Sequence, residues 1–146
     1  MTEGLERIIE LGRELGVLAV YIILPTAIGR WENDFSQTLS EEEKSKVRAF
    51  QETTFVHMEL PTPQTHCGIF QKGILFVSPS GRITPCPFVH FEFGNVREHS
   101  IQEIWHLHCK HLPPIHSGDC PMNRPDDRAT LRQHVEFVAG LVNHGG

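Results

Sequence analysis

The sequence predicts an α/β fold, and three observations carry that prediction. Helical and strand-like patterns alternate over the first sixty residues, the rhythm of a parallel sheet with helical connections. The unbroken apolar run from Val17 to Leu24 stops at Pro25 and reads as a strand buried on both faces, as in a parallel sheet covered by helices. Beyond Pro61 the pattern changes: two short β segments flank Ser78-Pro79-Ser80-Gly81, with a cysteine before and after them. The chain therefore divides into residues 1–60, the last units of an α/β layer, and residues 61–146, a hairpin-based cysteine domain closed by a C-terminal helix.

Each element follows from local chemistry. Leu5, Ile8, Ile9 and Leu15 recur at helical spacing among charged residues, so residues 3–15 form an amphipathic helix, with Gly16 as its C-cap. Residues 26–37 are loop. Ser40 and Glu43 make a capping box, Glu41 and Glu42 suit the positive end of the helix dipole, and the helix runs to about Phe50, burying Val47 and Phe50. Residues 54–60 return as a strand, and Pro61 to Thr65 have linker composition. Residues 74–77 and 82–84 form the hairpin around the turn. Ser100 and Glu103 make another capping box, opening a short helix through Ile101, Ile104 and Trp105. The stretch from His106 to Asp119, rich in His, Pro and Gly, is expected to be irregular. The last helix starts near Asp126 or Asp127, buries Leu131, Val135, Val138 and Val142, and ends at Gly145.

The totals exclude several classes. The chain has 146 residues, with 13 Lys plus Arg against 18 Asp plus Glu, a formal charge of −5. That balance argues against a nucleic-acid surface, which would call for a basic face. Apolar residues make up 39%, below the roughly 45–50% of globular domains, so a bound metal would support a modest core. The Val17 run is too short to span a bilayer. It follows Glu3, Glu6, Glu10 and Glu14, the wrong charge for a signal peptide, so the expectation is a cytoplasmic protein without a membrane partner. There, four cysteines are metal ligands or inert core thiols before they are disulfides.

The cysteines fall at 67, 86, 109 and 120. The hairpin brings Cys67 and Cys86 back together, and Pro121 fixes the backbone after Cys120. Thiolates are soft, strongly donating ligands suited to iron–sulfur clusters or zinc. Cys109 sits at the end of a helix, on one face with Trp105. The ten histidines of the chain invite a zinc reading as well, because His106, His108, Cys109, His111, His116 and Cys120 lie within fifteen residues. No C-x2-C or H-x3-H pair brackets them at zinc-finger spacing. His66 beside Cys67 reads as a loop residue, and Arg30 after Gly29 as a surface charge or a contact to an anionic group. No Gly-rich phosphate loop and no Ser–His–Asp arrangement is present, and no catalytic residue is assigned.

Cys67, Gly81 and Cys86 together read C-x13-G-x4-C. Around them stand Ile74-Leu-Phe-Val-Ser-Pro-Ser-Gly-Arg-Ile-Thr-Pro-Cys86, then Phe93-Gly-Asn-Val96, then Ser100-Ile-Gln-Glu-Ile-Trp105. In this order the pieces resemble the SPASM and twitch domains found at the C-terminus of radical S-adenosylmethionine (radical SAM) enzymes, from about Cys67 to Cys120. The resemblance implies that residues 1–60 are the remnant of a partial (β/α) barrel, with Val20-Tyr-Ile-Ile-Leu-Pro-Thr-Ala-Ile-Gly-Arg30 similar to a late barrel strand and its loop. It implies one auxiliary 4Fe-4S cluster on Cys67, Cys86, Cys120 and Cys109, assisting electron transfer or substrate positioning.

Two departures qualify the likeness. No two cysteines are closer than eleven positions, so the C-x3-C-x2-C loop that holds the S-adenosylmethionine-cleaving cluster is absent. The chain is then not catalytic alone, and S-adenosylmethionine belongs only to a complete enzyme whose N-terminal radical SAM region, or a companion chain, supplies that loop. Cys120-Pro-Met-Asn123 also has asparagine where full SPASM domains have a second cysteine, so the single-cluster twitch type is the better match. A peptide or small metabolite is the implied substrate class. Unpaired strand edges of a cut sheet predict a homo-oligomer. The competing reading is a structural or interaction module that binds zinc or no metal, zinc also serving as a substitute in the isolated protein after loss of iron.

Overall fold

The computed structural model describes residues 2–52, 54–59, 67–114 and 119–144. The chain forms two compact units: Met1–Pro25 with Ser36–Leu60, and Thr26–Phe35 with Pro61–Gly146. The expected boundary at Leu60 and Pro61, the linker to Thr65, His66, His116 and Gly145 all lie outside the described residues.

In the first unit, α1 (Thr2–Glu14) leads through Gly16, at φ 67°, to β1 (Val20–Ile23). Helix α2 (Glu41–Arg48) then leads to β2 (Val56–Glu59). The predicted capping box is present: the Ser40 amide donates to Glu43 Oε2 at 2.8 Å, and the Glu43 amide donates to Ser40 Oγ at 3.3 Å. Strands β1 and β2 pair in parallel, Val20 opposite Val56 and Ile22 opposite Met58, as the helix–strand alternation requires. The core gathers Ile9, Ile22, Val47 and Val56, with Leu5, Val20 and Phe55 packed against it. Burying Val56 completely contributes on the order of 2 kcal/mol. The Arg13 guanidinium lies 4.5 Å from the Phe55 ring centroid and its Nη2 also reaches both Glu52 oxygens.

The apolar run does not make a strand buried on both faces. Val20 and Ile22 face the core, whereas Tyr21 and Ile23 remain 65% and 67% exposed and Leu18 is 96% exposed. On α1, Leu5 and Ile9 turn inward while Ile8 and Leu15, expected on the same apolar stripe, face solvent. The reason is geometric: side chains alternate across a strand, and here both helices contribute side chains to the one core on the Ile22 face.

The second unit begins its cysteine region with α3 (Gly68–Lys72), a short helix that the sequence reading did not anticipate. Strands β3 (Phe76–Val77), β4 (Arg82–Thr84) and β5 (Gly94–Asn95) form an antiparallel sheet in the order β3-β4-β5. The predicted hairpin is therefore present and gains a third strand from the Gly94-Asn95 pair. Helix α4 (Ile101–Lys110) starts on Ser100, whose Oγ accepts from the Glu103 amide. It continues through His106 to Lys110, where irregular chain was expected. Ile104 and His108, one turn apart, extend its buried stripe by a further turn, and that stripe stabilises the helix.

Helix α5 (Pro125–His144) buries the four predicted residues Leu131, Val135, Val138 and Val142. It opens at Pro125, whose missing N–H costs nothing in a first turn. Ile83, Val89, Phe93, Ile104 and Met122 complete the core. The loop Thr26–Phe35 is tied to this unit: the Ala27 amide donates to Asn123 Oδ1 at 2.9 Å, and Arg128 on α5 pairs with Glu32 and donates to Asn33 Oδ1.

Candidate metal centre

The glycine turn sets the site. Gly81 sits at φ 86°, a conformation that L side chains rarely adopt, and a Cβ there would lie 2.6 Å from Asn95 Oδ1. Asn95 in turn donates from Nδ2 to the Ser80 carbonyl, and the Val96 amide donates to the Gly81 carbonyl. The turn and the third strand thus lock each other, and β4 delivers Thr84, Pro85 and then Cys86.

Three cysteines share one local geometry. The carbonyls of Cys67, Cys86 and Cys120 accept from the amides of Phe70, Val89 and Asn123, each three residues on. Backbone N–H groups two residues on, at Ile69, Phe88 and Met122, with Val89 beside Cys86 as well, favour the thiolate forms and act against the rise in their pKa. Cys67 and Cys120 have nearly the same backbone, φ −53° and ψ 129° against φ −64° and ψ 126°. Gly68, Pro87 and Pro121 follow the three cysteines. All three side chains pack against the core of the second unit. The Asp119 carboxylate fixes the approach to Cys120 by accepting its amide at 2.7 Å and the Asn123 side-chain amide at 3.4 Å.

Burial dominates the electrostatics of these thiols. Burial pushes Cys67 up, Cys86 up to about 11 and Cys120 up to about 12. Cys67 adds to the rise at Cys86, and Cys67, Cys86 and Asp119 add to the rise at Cys120. The backbone N–H groups oppose these increases, and among the described residues no cationic side chain acts on the sulfurs. Partly buried thiols of this kind, with Asp119 beside Cys120, would be held as thiolates by a bound positive centre that supplies the missing charge.

Cys109 is placed differently. It lies within α4, and its Sγ is 2.4 Å from where a Cβ on Gly73 would stand, near Trp105 and His108. Gly73, at φ 57°, ends α3 and leaves room for that sulfur. The other three cysteines pack on the core cluster.

The histidines go elsewhere. His108 and His134 are buried, with His108 Nδ1 2.8 Å from His134 Nε2 and Phe93 against both rings. Burial first, and the neighbouring His134 second, hold His108 down at about 4. His111 meets Phe137 edge-on at 5.2 Å, and His106 lines an open surface depression with Ser100 and Trp105. Among the described residues no group of three His, Cys, Asp or Glu could hold a metal ion. Sequence reasoning missed the buried histidine pair, although His108 follows Ile104 by four positions and His134 follows Leu131 by three, within the apolar stripes of their helices. It also missed the backbone turns in which the amides of Phe70, Val89 and Asn123 donate to the cysteine carbonyls, which are main-chain features without a signature of their own.

Residues 67–111 match the family model of the SPASM domain, an iron–sulfur cluster-binding domain. The matched span contains Cys67, Gly81, Cys86 and Cys109 and stops short of Cys120. This segment is similar to an iron–sulfur cluster-binding domain of SPASM type, consistent with that region of a radical SAM protein. No curated protein and no solved structure matches the chain. No helix among the described residues is long and apolar enough to cross a membrane.

Proposed function

We propose that the chain holds one auxiliary 4Fe-4S cluster for a radical SAM protein and does not perform the radical chemistry by itself. The observation that carries this reading is the match of residues 67–111 to the SPASM model, supported by the equivalent turns that Cys67, Cys86 and Cys120 begin and by their packing on one core. The likeness to an iron–sulfur cluster-binding domain over residues 67–111 supports a cluster before zinc.

When bound, the cluster supplies one-electron transfer or an iron that positions a substrate. The protein's own part is threefold. The Ile69, Phe88, Val89 and Met122 amides stabilise negative charge on the sulfurs. The apolar core beneath them excludes water. Asp119 and Asn123 fix the Cys120 loop. The S-adenosylmethionine-cleaving loop, C-x3-C-x2-C, would come from outside these residues, and a peptide or small metabolite is the substrate class. The exposed face of Tyr21 and Ile23 supports a first unit completed by further barrel strands or by a second copy of the chain.

Anaerobic reconstitution with iron and sulfide tests the reading. The expected result is a brown protein absorbing near 400 nm with equal iron and acid-labile sulfide, and loss of most of both in Cys86→Ala and Cys120→Ala. A colourless wild-type chain carrying one zinc and no sulfide would sink it.

A further inference from the structure

We propose that the outer face of α1, formed by Ile8, Leu11 and Leu15, packs antiparallel against the same face of a second copy of the chain, with Arg7 of each copy opposite Glu14 of the other. The proposal is independent of the cluster reading. It also concerns a different surface from Tyr21 and Ile23, because α1 packs on the Ile22 side of the sheet and turns its outer face away from it.

Helix α1 is apolar over more of its circumference than its own core uses. Leu5 and Ile9 turn inward, and Gly12 is buried where a Cβ would meet Val20 Cγ2 at 2.9 Å. Ile8, Leu11 and Leu15, beside that buried stripe, stay 59%, 51% and 70% exposed. Leu15 continues the helical face by donating its amide to the Leu11 carbonyl at 2.9 Å. Spacings of three and then four residues line one side of a helix, and they are the spacings of a seam between two helices. Adjacent large aliphatic side chains on one surface form a patch, and such patches mark interaction sites where scattered single residues do not.

The flanking charges identify the occupant. Arg7 and Glu14 are both exposed and stand seven residues apart, two turns, so they lie along the same edge of the seam. Opposite signs along one edge complement themselves when two copies run antiparallel. A two-fold axis that sets Ile8 against Leu11 of the second copy sets Arg7 against its Glu14, and symmetry makes the pair twice. In the same register Leu15 falls against Gly4 of the second copy, where an added Cβ would meet nothing within 4 Å, so the surface has room for a leucine. A parallel pair would bring Arg7 to Gly12 and leave both charges unmatched. Glu3, Glu6, Glu10 and Arg13 lie off the seam, and Arg13 is engaged by Glu52 within its own chain. One helix from each copy makes a small interface, below about 1,200 Å² in total, so the dimer is expected to be weak, with a dissociation constant on the order of 100 μM.

Sedimentation equilibrium of the full chain at low salt, from about 10 to 500 μM, tests the proposal, with far-UV circular dichroism confirming that each variant folds. The wild type is expected to pass from monomer to dimer over this range. Arg7→Glu and Glu14→Arg should each weaken association by about tenfold, because each sets two like-charged pairs across the seam. A chain carrying both changes should regain wild-type association, since the charges have only exchanged places. Glu14→Arg makes the chain less negative, so general repulsion between copies would predict the opposite result for that variant. Leu11→Gln should leave a monomer throughout, and Ile23→Thr should associate through this face as the wild type does.

A wild type that stays monomeric at every concentration would overturn the proposal. So would a dimer that survives Leu11→Gln and is lost in Ile23→Thr, which would put the second copy on the open sheet face. Failure of the double charge exchange to restore what the single changes remove would overturn the antiparallel pairing of Arg7 with Glu14.

Discussion

The two units solve the burial problem differently. In the second, Ile83, Phe93, Ile104, Leu131 and Val138 are fully buried, and helices and sheet enclose them. In the first, one face of the β1–β2 pair is covered and the other leaves Tyr21 and Ile23 open. A small unit that closes its own core can hold a pre-shaped set of ligands, because interiors packed at crystal-like density resist displacement. A two-stranded parallel sheet with one bare face cannot supply that rigidity, since parallel sheets are normally covered on both sides. The contrast is one of packing: the cysteine unit encloses its core, and the first unit leaves one sheet face exposed.

The largest expected effect tests the closed core. Leu131→Ala should destabilise the second unit by about 3 kcal/mol, the cost of lost transfer energy plus a cavity. Both tryptophans, Trp31 and Trp105, lie in that unit, so urea unfolding followed by tryptophan fluorescence reports it selectively. A change under ~1 kcal/mol would mean that the core relaxes easily and that the contrast between the units is overstated.

Gly81→Ala comes next. The side chain would force a positive φ on an L residue and collide with Asn95 Oδ1, for a cost of about 2 kcal/mol. Because the turn positions Cys86, the same change should also lower cluster content after reconstitution, which a purely peripheral turn would not do. Unchanged unfolding and unchanged iron would show that the turn can shift without consequence.

How much of this was legible beforehand depended on whether side chains or the main chain carried the feature. The Ser40–Glu43 box, the hairpin, the parallel pairing and the apolar stripe of α5 were readable, because each is written in side-chain type and spacing. The shared turn at all three cysteines was half visible as Cys86-Pro87 and Cys120-Pro121, but its amide donors were not. The continuation of α4 through His106 to Lys110 was obscured because a buried histidine looks polar in sequence, although His108 is stabilised by His134 from a helix far along the chain. The exposure of Tyr21 and Ile23 was hidden for the opposite reason, since an apolar run does not say whether both faces will find cover.

Ser40→Ala probes a readable feature of the first unit. Removing the hydroxyl that accepts the Glu43 amide should cost about 1 kcal/mol. The loss belongs to α2, so it should appear as faster hydrogen exchange of the α2 amides while tryptophan fluorescence of the second unit stays unchanged. Matching losses in both probes would mean that the units unfold together and that the comparison describes packing alone.

The smallest expected effect is the most informative about the open face. Ile23→Thr keeps a β-branched side chain on β1 and removes apolar surface that is already 67% exposed, so stability should change by less than about 0.5 kcal/mol. Hydrogen exchange at the Ile22 and Ile23 amides measures the stability term, and sedimentation at micromolar concentration measures self-association. If this face is where another copy packs, the wild type sediments above monomer mass and Ile23→Thr reduces that association without touching the fold. A destabilisation approaching that of Leu131→Ala, in a chain that sediments as a monomer throughout, would instead mean that Ile23 is covered within the same molecule. The first unit would then be closed like the second, and the contrast in packing drawn from its bare face would fail.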